Sequence, residues 1–146
     1  MSAPWIGRLT PDGHPICRLR VGPRAAQRDS LSLDAIVDTG FGGFVFLSRQ
    51  QALRIGLVQL RTGDVVELAN GSRCICEVCP GYVSLDRQTV RRGEITIVPA
   101  STEDVFVGMA FLHAFDLALI VGERFAALHD AGAVERFLRR AQHRRR

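Results

Sequence analysis

Lysine is absent from this 146-residue sequence, and all nineteen of its basic residues are arginines. A P-loop needs a lysine that reaches nucleotide phosphates, and Schiff-base catalysis needs a lysine amine, so both chemistries are excluded. The arginines are unevenly distributed, because six lie in residues 136–146 while all fifteen acidic residues lie at or before Glu135. Residues 1–135 therefore carry a net charge of −2, and the formal charge of +4 comes from a basic tail.

The sequence also lacks a secretory signal, since its first residues contain no apolar core. We therefore expect a cytoplasmic protein with four reduced cysteines, Cys17, Cys74, Cys76 and Cys79. A zinc-binding protein stays open as an alternative, with three ligands from Cys74-x-Cys76-x-x-Cys79 and a fourth from Cys17 or His14. Cys74 and Cys76 share one face of a predicted strand, however, and buried free cysteines are common. We expect no metal and no cofactor.

A transmembrane segment is not expected either. The best candidate, Val105–Gly122, contains His113, Asp116 and two glycines, and an aspartate at the centre of a bilayer costs ~2.5–3.5 kcal/mol. We therefore expect no membrane partner. The arginine tail allows binding to nucleic acid or acidic lipid through charge alone. Phe137 is the single aromatic residue that interleaves with it, so we do not expect nucleic-acid binding.

The hydrophobic fraction of 47% and the charged fraction of 23% are typical of a globular protein. Short apolar runs at regular spacing predict a mainly-β domain over residues 1–130 and a C-terminal basic helix or tail over 131–146. The predicted strands cover 6–9 and 16–21 (an N-terminal hairpin), 31–37, 44–47, 64–69, 72–78, 82–85, 94–98, 105–107, 117–121 and 125–128. Three short helices are predicted: one from the cap residue Ser48 to Arg54, one over 109–115 and one over 131–142.

Three turns connect the central strands in this prediction. Asn70-Gly71 indicates a type I′ hairpin turn, which needs positive φ at both positions. Pro80-Gly81 indicates a second turn. The polar residues 86–93 form the third, between the strands at 82–85 and 94–98.

The stretch Ala35–Phe44 is the strongest functional signal. Apolar residues lead into Asp38-Thr39-Gly40, and apolar and glycine residues follow. A carboxylate at the end of a buried strand loses hydration unless the structure satisfies it, while Thr and Gly allow a tight turn with a hydroxyl available for hydrogen bonding. The alternative is an ordinary surface turn between two strands.

The order of motifs resembles that of the single-domain, retroviral-type (retropepsin-like) aspartic proteases. Asp38-Thr39-Gly40 follows an apolar strand, a hairpin over 65–72 stands where that family has its flap, and Phe106-Val107-Gly108 opens a short helix. The resemblance covers roughly residues 35–128, and the Asp-Thr-Gly-Phe-x-Gly form is similar to the small prokaryotic branch. This chain departs from that branch at Gly42, where Ser or Thr is frequent, and at Ala110, where a small acidic residue is common.

The resemblance implies a closed acid-protease-type β-barrel, one lobe per chain, that works as a two-fold homodimer. One chain supplies one catalytic aspartate, because Asp130-Ala131-Gly132 lacks the hydroxyl and opens a basic helix. The implied activity is that of an aspartic endopeptidase on a polypeptide substrate. The implied dimer contacts are the catalytic loop and the terminal strands 117–128.

The resemblance also implies roles for individual residues. Asp38 is the catalytic acid, Thr39 bonds across the dimer axis, and Gly40 donates backbone N–H groups. Residues implied to contact substrate are Phe41, Gly42 and Gly43 beside the cleft and Leu68, Ala69, Asn70 and Gly71 at the flap tip. Gly108 is implied to cross close behind the catalytic loop. Because Gly42 lacks a hydroxyl that could bind the substrate backbone, a catalytically weak, protease-like dimeric binding module is the alternative.

Overall fold

The computed structural model describes residues 5–58, 60–68, 70–85, 89–99 and 102–144. Strands dominate this part of the chain, which confirms the mainly-β prediction. The strands are β1 (Trp5–Leu9), β2 (Pro15–Gly22), β3 (Leu31–Val37), β4 (Val45–Ser48), β5 (Arg61–Glu67), β6 (Arg73–Ser84), β7 (Val90–Val98), β8 (Phe106–Val107), β9 (Leu117–Val121) and β10 (Ala126–Asp130). The helices are α1 (Arg49–Ile55), α2 (Met109–Ala114) and α3 (Ala131–His143).

Six strands close into a barrel in the order β6-β7-β4-β8-β3-β2. Closure occurs where β2 pairs with the end of β6, with Val21 opposite Val83. Two of the pairs, β3–β8 and β4–β7, are parallel. The barrel encloses a core of fully buried side chains that includes Leu19, Val83 and Ile95. The closed barrel was predicted from the family resemblance, and this topology confirms it.

Strand β6 belongs to two structures along its length. Residues 73–78 pair with β5 in a hairpin, and residues 82–84 pair with β2 in the barrel. The predicted Pro80-Gly81 turn is wrong, because the strand runs straight through both residues. One edge of β6 pairs with β5 up to Val78 and with β2 from Tyr82, so residues 79–81 have no described strand opposite them on that edge. A proline, which lacks an N–H, is therefore tolerated there.

Strand β7 starts at Val90, four residues before the prediction, because residues 90–93 pair with residues 81–84 of β6. Arg91 and Arg92 had indicated a polar turn, but both side chains are exposed on the strand. Their charge therefore does not oppose strand formation. Pairing with the long neighbouring strand decides the structure here, not local propensity.

The tip of the β5–β6 hairpin differs from the predicted two-residue turn. The Gly71 N–H donates to the Leu68 carbonyl at 2.8 Å, and the Leu68 N–H donates to the Ser72 carbonyl at 2.8 Å. The turn is therefore closed between Leu68 and Gly71, one residue earlier than a type I′ turn at Asn70-Gly71 would close. Gly71 has φ +80°, the left-handed conformation expected of the last residue in a three-residue hairpin loop.

The helices follow their sequence signals closely. Ser48 caps α1 in a capping box with Gln51, and Gly56 ends it with φ +86°. Asp130 caps α3 by accepting a hydrogen bond from the Ala133 N–H. Helix α3 follows β10 directly, and β10 connects β1 to β9, the last strand of the sheet order. Segment 105–122 forms β8, α2 and β9, and no helix in the described ranges is long and apolar enough to cross a bilayer.

Candidate active site

Asp38 stands immediately after β3, at the end of a buried strand. Val37 is buried and pairs in parallel with Val107, and the Asp38 N–H continues the ladder by donating to the Val107 carbonyl at 2.9 Å. The Asp38 side chain itself is exposed in the single chain. The fold therefore carries a carboxylate out of the core and presents it at the surface.

The Asp-Thr-Gly turn holds that carboxylate in a defined orientation. The Gly40 N–H donates to Asp38 Oδ1 at 2.9 Å, and the Phe41 N–H donates to the Asp38 carbonyl at 3.1 Å. One lone pair of the carboxylate is thus satisfied by the backbone of its own loop. Thr39, which lies between Asp38 and Gly40 in the sequence, is exposed.

Gly108 crosses directly behind this loop. A Cβ at Gly108 would lie 2.1 Å from the Phe41 carbonyl oxygen and 2.6 Å from the Gly43 carbonyl oxygen, so no side chain fits. The first N–H groups of α2 bind the same loop, since the Met109 N–H donates to Phe41 at 2.8 Å and the Ala110 N–H donates to Gly43 at 3.1 Å. These bonds satisfy helix N–H groups that lack partners within the helix and fasten residues 41–43 to it.

A groove of about 290 Å³ opens in front of the loop. Residues 38–43, which we call the catalytic loop after its predicted role, form one side, and the end of β5 in the β5–β6 hairpin forms the other. Its lining residues are Asp38, Gly40, Phe41, Gly42, Phe46, Val66, Glu67, Leu68 and Phe106. The carboxylates of Asp38 and Glu67 are the acidic groups among them, and the rest of the lining is apolar or glycine.

Three aromatic rings form a continuous row along this groove. The Phe41 and Phe46 ring centroids are 5.8 Å apart, the Phe46 and Phe106 centroids are 5.6 Å apart, and both pairs meet edge to face. Phe46 also belongs to a small hydrophobic cluster with Cys76 and Val98. The row therefore joins the groove to packing between the hairpin and the barrel.

The structure brings together five of the residues proposed from the sequence. The residues that share the groove are Asp38, Gly40, Phe41, Gly42 and Leu68. Gly43 instead lines a separate cavity of about 350 Å³ with Phe44 and Gly93. Asn70 and Gly71 are exposed at the hairpin tip, where the Asn70 side chain accepts a bond from the Ser72 N–H at 3.0 Å. Ala69 lies outside the described residues.

Sequence reasoning missed four groove residues, namely Phe46, Val66, Glu67 and Phe106. None of the four was proposed as a site residue, although Val66 and Glu67 lie in the predicted flap hairpin and Phe106 opens the Phe106-Val107-Gly108 motif. One signal was available, because Phe106 stands two residues before Gly108 and Phe46 follows the catalytic loop on the next strand. Two aromatic residues on the strands flanking a catalytic loop can both reach its groove.

Other acidic groups near the site are already engaged. Asp34, also on β3, accepts hydrogen bonds from Arg18 at 2.9 Å and from Arg8 at 3.2 Å. The bond from Arg18 holds the pKa of Asp34 below its usual range, and the charges of Arg18 and Arg8 act in the same direction. Asp130 caps α3, and Glu67 lies 3.6 Å from Arg73.

The cysteines lie in two places. Cys17 and Cys79 are in the barrel core, while Cys74 and Cys76 lie at the hairpin with their sulfur atoms 3.7 Å apart. Across the described ranges, no group of three or more Cys, His, Asp or Glu side chains is placed to hold a metal ion. The spacing that indicated a possible zinc site therefore does not produce a ligand cluster.

No protein-family model matches the sequence, and no curated protein is similar to it in sequence. Solved structures are similar in fold. A retropepsin-like aspartic protease from Rickettsia conorii superposes with a TM-score of 0.66 at 17% identity, covering 86% of this chain and 89% of that protein. EIAV protease in complex with the inhibitor HBY-793 superposes with a TM-score of 0.60 at 12% identity, covering 77% of this chain and 97% of that one. The chain therefore has a retropepsin-like fold.

Proposed function

We propose that this chain is an aspartic endopeptidase that works as a homodimer. The observation that carries the proposal is the exposed Asp38 carboxylate, oriented by the Gly40 N–H at one side of a groove whose lining, apart from Glu67, is otherwise apolar or glycine. The retropepsin-like fold supports the same activity, because both structural neighbours that share it are proteases.

The dimer follows from the count of carboxylates. Peptide hydrolysis of this type needs two facing carboxyl groups, and the groove of one chain offers Asp38 beside Glu67, which Arg73 approaches at 3.6 Å. An identical subunit related by a two-fold axis would supply a second Asp38. The dimer would form through the catalytic loop, with Thr39 bonding across the axis, and through the terminal strands 117–128.

The chemistry of such a pair is general acid–base catalysis. Two carboxyl groups about 3 Å apart cannot both ionise, so they share one proton, and their apparent pKa values belong to the pair. In one subunit the ionised Asp38 takes a proton from a bound water, and the oxygen of that water attacks the peptide carbonyl carbon. In the other subunit the protonated Asp38 gives its proton to the carbonyl oxygen. Proton transfer to the amide nitrogen then breaks the C–N bond.

Substrate would lie extended in the groove between the loop and the hairpin. Phe41 and Gly42 would line one side, and residues 68–71 would close over the other side and exclude water. The reaction needs no cofactor. We propose a cytoplasmic location, in which Cys17, Cys74, Cys76 and Cys79 stay reduced and form no disulfide.

The decisive experiment compares the wild-type protein with Asp38→Asn on an unfolded protein substrate, from acidic to neutral pH. Asp104→Asn is the matched control, since it removes another exposed carboxylate that is not part of the groove lining. We expect cleavage by the wild type and by the control, and none by Asp38→Asn. Equal behaviour of the wild type and Asp38→Asn, or a monomer in sedimentation at micromolar concentration, would contradict the proposal.

A catalytically weak binding module is the second candidate, favoured by the absence of a side chain at Gly42 in the groove wall. It predicts that the wild-type dimer retains an unfolded peptide without cleaving it. Retention by both the wild type and Asp38→Asn, with no product in mass spectrometry, would establish this function instead.

A further inference from the structure

We infer that α3 is a membrane-surface helix that binds bilayers containing anionic phospholipids. The inference concerns a part of the chain outside the groove and does not rest on the proposed proteolytic activity. Its basis is the combination of exposed apolar side chains and clustered arginines on one helix.

The apolar face of α3 is largely exposed among the described residues, with Val134 and Ala141 partly covered. Val134, Phe137, Leu138 and Ala141 recur at the spacing that places them on one side of an α-helix. Phe137 is 70% exposed and Leu138 is 54% exposed, and no residue of the helix is buried. In aqueous solution this face exposes large side chains that gain free energy by leaving water.

The opposite face is basic. Arg136, Arg139 and Arg140 lie on this side of the helix, and Arg144 follows as its C-terminal cap residue. Arg139 is engaged by Glu135, and Arg136 lies 4.0 Å from Asp130. Within the described ranges, Arg140 and Arg144 form no ion pair. Residues 136–146 as a whole contain six arginines and no acidic residue.

The combination of exposed apolar side chains and arginines matches a bilayer surface better than it matches a nucleic acid or a second copy of the chain. Nucleic acid would use the arginines but leaves the exposed Phe137 and Leu138 without a role. A symmetric contact between two copies of α3 would bring two strongly basic segments together, which is unfavourable. An anionic bilayer accepts both faces at once, with the apolar side chains below the headgroups and the arginines among the phosphates.

The test measures co-sedimentation of the full-length protein with vesicles of phosphatidylcholine plus phosphatidylglycerol, and with vesicles of phosphatidylcholine alone. We expect binding to the first and little to the second, with weakening as salt is raised. Asp38→Asn should bind as the wild type does, so the outcome is independent of proteolysis.

Two double variants separate the contributions of the faces. Phe137→Ala with Leu138→Ala should lower the partition coefficient at least about tenfold. Arg136→Gln with Arg140→Gln should lower it about fivefold for each arginine removed. The matched controls are Leu53→Ala, which removes a side chain that is 63% exposed on α1, and Arg24→Gln with Arg54→Gln, which removes the same charge from the body. Both controls should bind like the wild type.

Three results would overturn the inference. The first is no binding of the wild type to anionic vesicles. The second is binding that the controls reduce as much as the α3 variants do, which would indicate a general charge effect. The third is a result that identifies a different partner when vesicle binding is absent. Loss of the dimer in the Phe137/Leu138 variant would indicate a second copy of the chain, and salt-sensitive binding to duplex DNA would indicate a nucleic acid.

Discussion

Gly108 and Phe41 are in direct backbone contact across two different segments of the chain. The site of a Cβ at Gly108 lies 2.1 Å from the Phe41 carbonyl oxygen, and that oxygen also accepts the Met109 N–H at 2.8 Å. The catalytic loop and the start of α2 are thus fixed to each other. The position of Asp38 depends on this contact, because Asp38 precedes Phe41 by three residues in the same loop.

Substitution of Gly108 should therefore destabilise the protein and displace the loop. We expect Gly108→Ala to lower the free energy of unfolding by at least about 3 kcal/mol, since the clash is with backbone rather than with a movable side chain. Gly42→Ala is the matched control, because a Cβ there meets no atom within 4 Å. Urea denaturation measures both variants. Equal midpoints for the two would show that the loop yields without cost.

Gly42 offers a way to raise activity. The open space around it can hold a side chain, and Gly42 lines the groove. A hydroxyl at this position could bind the substrate backbone, so Gly42→Ser should raise kcat/KM about two- to tenfold, the contribution of one hydrogen bond. Steady-state cleavage of a peptide measures the change, with Gly42→Ala as the control without a hydroxyl. A serine variant no better than the alanine variant would contradict this role.

The aromatic row should contribute to stability as well as to the groove. Phe46 is 8% exposed and touches the rings of Phe41 and Phe106. Its replacement by Ala should lower the free energy of unfolding by about 3–5 kcal/mol. Phe125→Ala, at a side chain that is 53% exposed, should change it by less than about 1 kcal/mol. Thermal or urea denaturation distinguishes the two variants. An equally small loss of the free energy of unfolding in both would show that Phe46 is not a packing residue.

Asp34 should make a small, pH-dependent contribution to stability. Arg18 lowers the pKa of Asp34 in the folded protein, so the contribution is present above the unfolded pKa and is lost as pH falls through the folded pKa. Because the carboxyl is 39% exposed, Asp34→Asn should cost less than about 1 kcal/mol at neutral pH. The difference from the wild type should vanish in strong acid and shrink in high salt. A constant difference at all pH values would exclude the ion pair as its cause.

The thiols should differ in reactivity. Burial raises the pKa of Cys17 and of Cys76 to about 12, and Cys79 is buried as well, whereas Cys74 is half-buried. Iodoacetamide at mildly alkaline pH should therefore modify Cys74 first in the folded protein, and all four thiols in urea. Peptide mapping after timed quenching follows the order. Early modification of Cys17 would show that the barrel opens locally.

The sequence predicts the local features of this fold better than the long-range ones. Ser48, Gln51 and Gly56 determine α1 through contacts within a few residues, and the pattern therefore predicts both its ends. The continuation of β6 through Pro80 and Gly81, in contrast, depends on which strands lie beside it, and no local sequence pattern contains that information. The Leu68–Gly71 turn was misjudged because Asn-Gly is compatible with more than one hairpin loop.

The candidate site divides in the same way. Asp38, Gly40 and Phe41 are contiguous, so their motif predicts that they act together. Phe46 and Phe106 reach the groove because β4 and β8 lie side by side in the barrel, with Phe46 opposite Phe106 in the register. That proximity requires the tertiary structure. The second carboxylate of the proposed mechanism would come from another copy of the chain, which the sequence and the single-chain structure do not position.

Strand β6 has a mechanical consequence for the groove. Its residues 82–84 are anchored between β7 and β2, while residues 73–76 are joined to β5 and project from the barrel. Nearer its tip the hairpin is also held, because Leu68 packs against the cluster of Phe46, Cys76 and Val98. A movement of the hairpin away from the groove would therefore have to break this apolar contact, whereas the strand pairing of residues 82–84 within the barrel would stay intact.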